Sequence, residues 1–414
     1  MNLLLKSSTC KPQSAIAITG SKSETNRLLL LQALYPNLIL ENTSNSDDSE
    51  VMTKALQSSD TIIDIHHAGT AMRFLTAYFS IQENREVVLT GSTRMKERPI
   101  KILVNALRQL GAEITYEENE GFPPIRIKGK KVTKSKVSLS ANVSSQYISA
   151  LLLIAPKLEN GLELNLEGEI TSVPYIKMTL SLLNDIGVET VFASNKIIVK
   201  PQTINHKPQT LSVESDWSSA SYFYSIVALS EIGTEITLSS YKENSLQGDS
   251  VLADIYKNFG VETIFNDSKS ITISKINKYN LQPPTYNLNN SPDIAQTIAV
   301  TCFGLGIGCH LTGLHTLKIK ETDRLLALKN ELEKLGAQVS ITDESLTLKI
   351  SSEINEDIRI KTYQDHRMAM AFAPLALKTD IIIEEAEVVS KSYPTFWEDL
   401  KSIGFQIENH SATQ

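Results

Sequence analysis

The sequence predicts an α/β protein of two domains, built from repeated modules of about seventy residues. Three observations lead there. A pattern of amphipathic helix, glycine and β-rich stretch recurs at Ala106–Ile114, Leu182–Thr190, Ile255–Thr263, Glu331–Val339 and Asp399–Ile407. Its glycines stand at 111, 187, 260, 336 and 404, so the steps are 76, 73, 76 and 68 residues. Glycine past the last turn takes the left-handed conformation that closes a helix without a Cβ clash, and a strand follows at once. A weaker sixth copy is read at Ala55-Leu56-Gln57 followed by Thr61 to Ile65. The second observation is length: 414 residues exceed one ordinary core, and six modules group naturally as two domains of three. The third is composition. With 41% apolar and 21% charged residues, the chain is globular rather than disordered.

Forty basic and 47 acidic side chains leave a net charge of −7. That balance argues against nucleic acid as a partner. An anionic ligand would need its cations gathered locally. The three cysteines, Cys10, Cys302 and Cys309, lack metal spacing and do not form a disulfide framework, so no metal is expected. The opening stretch Met1–Ser7 has too short an apolar run for a secretory signal, and the expected compartment is the cytoplasm. From Ile294 to Leu317 there is no charged residue, but glycines at 304, 306, 308 and 313 would break it into a helix, a turn and a strand. No membrane span is expected.

Several segments combine small residues, a helix start and a cation. Thr19-Gly20-Ser21-Lys22-Ser23-Glu24-Thr25-Asn26-Arg27 reads as a turn opening a helix, with Ser23 and Arg27 on one face. Backbone N–H groups and the helix dipole favour an anion at such a start. His67-Ala68-Gly69-Thr70-Ala71-Met72-Arg73 reads likewise, with Thr70 as a capping residue. Asn142-Val143-Ser144-Ser145-Gln146 opens a helix that runs through Ala155. Arg94 to Pro99 reads as a basic loop. Lys318 to Arg324 reads as a helix start carrying Glu321 between Lys320 and Arg324, and Asp365-His366-Arg367 as another. Ser390-Lys391-Ser392-Tyr393-Pro394 adds a late lysine. Taken singly, the first segment reads equally as an ordinary capped helix, the next two more readily as plain N-caps, and the Arg94–Pro99 run as a solvated surface.

Taken together, these motifs resemble one family. Gly20-Ser21-Lys22-Ser23 with Asn26-Arg27, Ala68 to Arg73, Arg94 to Pro99, Val143 to Gln146, Thr171 to Tyr175, Lys320 to Arg324, Asp365 to Ala369, and Lys391 with Pro394 are similar to those of the 5-enolpyruvylshikimate-3-phosphate synthases. They stand in the family's order along nearly the whole chain. The resemblance implies an α/β (α+β) fold, a two-domain inside-out barrel of six βαβαββ repeats, three per domain. One domain, 20–213, would be continuous and hold shikimate 3-phosphate and part of the phosphoenolpyruvate site. The other, 1–19 plus 214–414, would supply the acid/base and carboxylate-binding residues.

The implied reaction moves the enolpyruvyl group of phosphoenolpyruvate to the 5-hydroxyl of shikimate 3-phosphate by addition and elimination, on the way to chorismate and the aromatic amino acids. It needs no organic cofactor or catalytic metal. By the resemblance, Lys22, Ser23, Arg27, Ser144, Ser145, Gln146, Ser172, Tyr175, Asp293 and Lys320 hold shikimate 3-phosphate. Lys22, Gly69, Arg98, Gln146, Arg324, Arg367 and Lys391 surround phosphoenolpyruvate, with Arg324 and Arg367 on its carboxylate. Asp293 takes the hydroxyl proton, and Glu321 or Lys22 handles the methylene proton. The chemistry needs an acid/base pair with fixed positive charge. Crowded cations should keep Asp293 ionised, make the cleft strongly positive, and let substrate draw the domains closed. The expected partners are these two small molecules, and the expected state is a monomer.

The chain departs from the family at three places. Thr316 stands where asparagine is frequent, Phe74 where proline is frequent, and Ser215-Asp216-Trp217 replaces the usual Gly-Asp-small pattern. The Phe74 change leaves the response to glyphosate open. The rival readings are the related transferase acting on UDP-N-acetylglucosamine and an inactive anion-binding paralogue. The first pairs its early lysine with asparagine, whereas Ser23 follows Lys22 here. The second would not need Asp293 and Glu321 beside a full cation set.

Overall fold

The computed structural model describes residues 1–140, 144–202, 208–277, 282–351 and 353–410. They form two compact units, Ser21–Val213 and Met1–Gly20 with Glu214–Gln414. Each unit has its own apolar core.

Among the described residues, five four-stranded sheets share one plan, a parallel pair followed by two antiparallel neighbours. In the Ser21–Val213 unit one sheet runs Ile62–Asp64, Glu86–Thr90, Ile125–Lys128, Glu113–Tyr116. A second runs Lys136–Ser140, Leu162–Glu167, Lys196–Val199, Thr190–Ala193. In each, a helix joins the first two strands and another leads to the outer hairpin.

The other unit repeats the plan with Thr285–Asn287, Cys309–Thr312, Leu346–Leu348 and Val339–Ile341. Its two remaining sheets borrow from the chain's start. Gln13–Ile16 lies parallel to Glu235–Ser239 as a first strand. Leu3–Lys6 enters between Ile381–Ile383 and Gln406–Asn409. These pairings explain why the first twenty residues belong with the C-terminal half.

All five repeat glycines have positive φ, between 75° and 115°. The weak sixth copy differs. The helix Asp47–Gln57 ends at Ser58 in extended conformation, with no glycine to turn the chain back. The strand that follows, Ile62–Asp64, joins the next sheet, and among the described residues this module has only the parallel pair Leu38–Glu41 and Gln209–Ser212. The charge-free stretch folds as the helix Ala295–Gly304, a turn and the strand Cys309–Thr312. Among the described residues, no helix is long and apolar enough to cross a membrane.

The central helices are buried on all sides rather than along one stripe, as expected of elements enclosed by sheets. In Ser145–Ile154 every residue but Gln146 is buried, and in Trp217–Leu229 every residue but Ser218. Both exceptions are the second residue of their helix. Ser23, Thr70 and Arg367 are second residues too, and each is half-buried. In Ser145–Ile154 and Trp217–Leu229 the first turn alone has a residue that is not buried.

The turn glycines differ in their surroundings. A Cβ at Gly111 would meet nothing within 4 Å, whereas one at Gly260 would lie 2.2 Å from the Asn277 carbonyl oxygen. Gly111→Ala should therefore lose only the left-handed strain, about 1–2 kcal/mol. Gly260→Ala should lose clearly more, as read from urea unfolding midpoints. Equal losses would show that strain alone matters at both turns.

Candidate active site

In the Ser21–Val213 unit the first sequence motif opens the helix Lys22–Leu34. The Ser21 hydroxyl accepts from the Glu24 N–H at 3.5 Å, so Lys22 and Ser23 occupy the first turn. Lys22 Nζ lies 3.2 Å from the Asp48 carboxylate. Arg27, one turn further, is 2% exposed. Its Nε donates to Thr179 Oγ1 at 2.8 Å, Nη1 to the Ser23 carbonyl at 2.6 Å and Nη2 to Ser149 Oγ at 3.0 Å. Burial lowers its pKa to about 10, which still leaves it charged at neutral pH. The Phe74 ring packs against this guanidinium, 5.4 Å from its centroid.

The helix Gly69–Ser80 begins on a glycine because an arginine lies against it. A Cβ at Gly69 would sit 2.7 Å from Arg98 Nη1. Arg94 and Lys96 pair with surface carboxylates, but Arg98 is buried. The segment read as a basic loop contains the short helix Thr93–Lys96, capped by Ser92. Thr70 does not cap its helix. It sits in the first turn, and its hydroxyl accepts from Gln146 Nε2 at 3.3 Å. Ser144 caps the helix Ser145–Ile154 by accepting from the Gln146 N–H. Asn142 and Val143 lie outside the described residues. Ser172 is left-handed, with φ 54°, and its carbonyl accepts from the Tyr175 N–H at 3.1 Å.

In the unit containing Glu214–Gln414, three carboxylates converge on Arg324. Its Nε donates to Asp365 at 2.6 Å, Nη1 to Asp293 at 2.8 Å and Nη2 to Glu321 at 2.8 Å. The helix starts at Arg324, capped by Asp323, and not at Lys318 as read from the sequence. Lys320 and Glu321 precede it in a non-helical turn, and Lys320 Nζ lies 3.3 Å from Asp293. Arg367 grips the same residue, Nη1 on the Asp293 carbonyl at 3.2 Å and Nη2 on its carboxylate at 3.3 Å. Burial opposes the charge on Asp293, but Arg367, Lys320 and Arg324 outweigh it and hold the carboxyl far below its usual range. Burial lowers Lys320.

Lys391 bonds the Gln364 carbonyl at 2.7 Å. Tyr363 and Gln364 are both left-handed, at φ 53° and 55°. Buried Glu331 supports this strained turn by accepting from the Tyr363 hydroxyl at 2.7 Å and the Lys361 N–H at 3.0 Å.

The geometry thus forms two groups, one per unit. Lys22, Ser23, Arg27, Gly69, Arg98, Ser144, Ser145, Gln146, Ser172 and Tyr175 belong to the first. Asp293, Lys320, Glu321, Arg324, Arg367 and Lys391 belong to the second. Sequence reasoning missed the residues that hold these groups in place. Asp48, Ser149, Thr179 and Ser218 carry no local signal, because each meets its partner only through the fold. Asp365 stood in a recognised motif and could have been found as the N-cap two residues before Arg367. The expectation of strongly positive surroundings fails in the second unit. There Lys320, Arg324 and Arg367 meet the carboxylates of Asp293, Glu321 and Asp365. Among the described residues, no cluster of His, Cys, Asp and Glu could hold a metal ion.

A family model described as EPSP synthase (3-phosphoshikimate 1-carboxyvinyltransferase) matches residues 41–400. The chain is 47% identical over 409 residues to a 3-phosphoshikimate 1-carboxyvinyltransferase of Bacteroides fragilis, covering 98% of each chain. The fold resembles that of an EPSP synthase from Acinetobacter baumannii, with TM-score 0.79 at 19% identity, over 99% of this chain and 100% of that one. It also resembles the enolpyruvyl transferase NikO from Streptomyces tendae, with TM-score 0.75 at 14% identity and 99% of each chain covered.

The depressed Asp293 carboxyl gives a stability prediction with a definite sign. Its contribution is complete above the unfolded pKa of about 3.9 and is lost as pH falls towards the folded value. Asp293→Asn should lower stability by about 1.5–3 kcal/mol at pH 7. Urea unfolding should show the gap to the parent shrinking below about pH 4. A gap independent of pH would mean that the ionised carboxylate is not what holds the cations.

Proposed function

Because the chain belongs to the EPSP synthase family, we propose that it transfers the enolpyruvyl group of phosphoenolpyruvate to the 5-hydroxyl of shikimate 3-phosphate. The observation that carries the residue assignment is the ionised Asp293 set among Arg324, Arg367 and Lys320, beside Glu321. In the first step the 5-hydroxyl oxygen bonds to C2 of phosphoenolpyruvate, Asp293 takes its proton, and a proton is delivered to the methylene carbon. In the second step that carbon returns a proton and phosphate leaves, restoring the double bond. Glu321 or Lys22 serves the carbon.

Arg324 and Arg367 take the ligand's carboxylate by paired hydrogen bonds, for which guanidinium groups are well shaped. Both also donate to the Asp293 carboxylate. The ligand's carboxylate competes for them, which removes cations from Asp293 and raises its basicity when a base is needed. Lys22, Gly69, Arg98, Gln146 and Lys391 receive the phosphate of phosphoenolpyruvate. Shikimate 3-phosphate is held by Lys22, Ser23, Arg27, Ser144, Ser145, Gln146, Ser172, Tyr175, Asp293 and Lys320. Arg27 is bonded to protein partners at every nitrogen, so its part is a fixed positive charge beneath that ligand. Small-molecule substrates, a monomeric state and a cytoplasmic location complete the reading.

The test is phosphate release from phosphoenolpyruvate. Release with shikimate 3-phosphate and none with UDP-N-acetylglucosamine is expected, and the reverse would overturn the reading. Asp293→Ala should lower kcat by about 10²–10⁴-fold with shikimate 3-phosphate binding nearly unchanged. If basicity rises on binding, the acid limb of kcat should lie at higher pH than that of kcat/KM. Gly69→Ala should raise KM for phosphoenolpyruvate about tenfold by pushing the Arg98 guanidinium aside, with little loss of stability because a side-chain tip can move. An unchanged KM would remove Gly69 and Arg98 from the site.

A further inference from the structure

Asp249 is a buried carboxylate to which the reaction gives no task. It lies in the short 3-10 segment Gly248–Val251 and is 2% exposed. Its Oδ2 accepts the Ser218 hydroxyl proton. Ser218 Oγ in turn accepts from Arg367 Nη2 at 3.3 Å, the nitrogen that also reaches the Asp293 carboxylate. The bonds therefore run in one direction, from guanidinium to hydroxyl to carboxylate.

Fold stability alone does not call for a carboxylate here. The segment is already fastened to the helix Trp217–Leu229 by Gln247, which accepts from the Trp217 N–H at 3.0 Å and donates to the Ser215 carbonyl at 2.9 Å. Leu252, just beyond, is fully buried. A buried carboxylate carries a desolvation penalty that a neutral acceptor would avoid. Burial pushes Asp249 up to about 6, against the pull of Arg367, with Asp293 and Asp216 as the neighbouring acids. Ser218 also has a telling position. It is the second residue of its helix and the one residue there that is not fully buried.

We infer that Asp249 is a positioning residue, which through Ser218 fixes the direction of the Arg367 guanidinium for the carboxylate of phosphoenolpyruvate. Ionised Asp249 polarises the Ser218 hydroxyl so that its oxygen lone pair faces Nη2. The other face of the guanidinium is then left to Asp293 or to the ligand. This inference rests on Arg367 gripping that carboxylate, as proposed above.

Steady-state kinetics on the full chain tests it. Asp249→Ala and Ser218→Ala should each raise KM for phosphoenolpyruvate about tenfold, the loss of one hydrogen bond to a charged group. kcat and the KM for shikimate 3-phosphate should stay within about twofold of the parent, as for lost uniform binding. The double variant should be no worse than either single one. Asp249→Asn, which keeps an acceptor for Ser218, should recover most of the affinity. An unchanged KM for phosphoenolpyruvate in Ser218→Ala overturns the inference, and that variant remains informative if Asp249→Ala fails to fold. Arg367→Lys separates the two levels. If it leaves that KM unchanged, the role of Arg367 itself is wrong; if it raises KM while Ser218→Ala does not, only the positioning role fails.

Discussion

One buried guanidinium ties helices together in each unit, and the candidate site is arranged around it. Arg27 joins its own helix, Lys22–Leu34, to Ser149 of Ser145–Ile154 and Thr179 of Val173–Asp185. Arg324 joins its helix to Asp293 and to Asp365 at the start of His366–Phe372. Both side chains are 2% exposed. A buried charge persists only where its hydrogen bonds are made, so neither arginine can move without stranding several partners. Helix starts held in this way become fixed points from which short side chains can meet a ligand.

The two arginines differ in what answers their charge. The hydrogen-bond partners of Arg27 are carbonyls and hydroxyls, which leave its positive charge uncancelled, and its pKa falls with burial. Arg324 is met by Asp365, Glu321 and Asp293, which overcome burial and raise it. In the first unit no carboxylate hydrogen-bonds to the buried guanidinium of Arg27 in the bonds described above. In the second unit the protein's own carboxylates answer the charge of Arg324. The acidic balance of the whole chain does not decide either case. The local pairing does, and composition cannot reveal it.

Much of this was legible in the sequence. The five glycines marked turns that all adopt positive φ, and the helix starts at Lys22, Ser145 and His366 were read from small residues and caps. Local rules sufficed there because the turn and its cap lie within a few residues. They failed where the decisive contact is distant. Thr70 looked like a cap and instead serves Gln146, 76 residues away. Lys320 and Glu321 looked helical, but Asp323 caps the helix after them. Among the described residues the sixth module has no outer hairpin, and its helix ends at Ser58 without the closing glycine of the other five, a difference visible in the sequence. The start of the chain supplies strands to two C-terminal sheets, an arrangement that no periodicity encodes.

The all-round burial of the central helices restricts where function can vary. The buried middle of Trp217–Leu229 or Ser145–Ile154 admits a polar side chain only where a neighbouring helix supplies its partner, as Ser149 meets Arg27 and Ser221 meets Thr297. The first turn escapes this limit, since its N–H groups lack intrahelical partners and need an acceptor from elsewhere. Ser23, Thr70, Gln146, Ser218 and Arg367 all sit there. The repeat thus supplies one kind of position several times, and the side chain placed on it decides between a hydroxyl, an amide and a guanidinium. Each choice then has to be stiffened from behind by a residue of another segment, as Thr70 is placed by Gln146 and Arg367 by Ser218. Those supporting residues lie far away in sequence, so a motif can announce the group that meets the ligand while staying silent on what aims it.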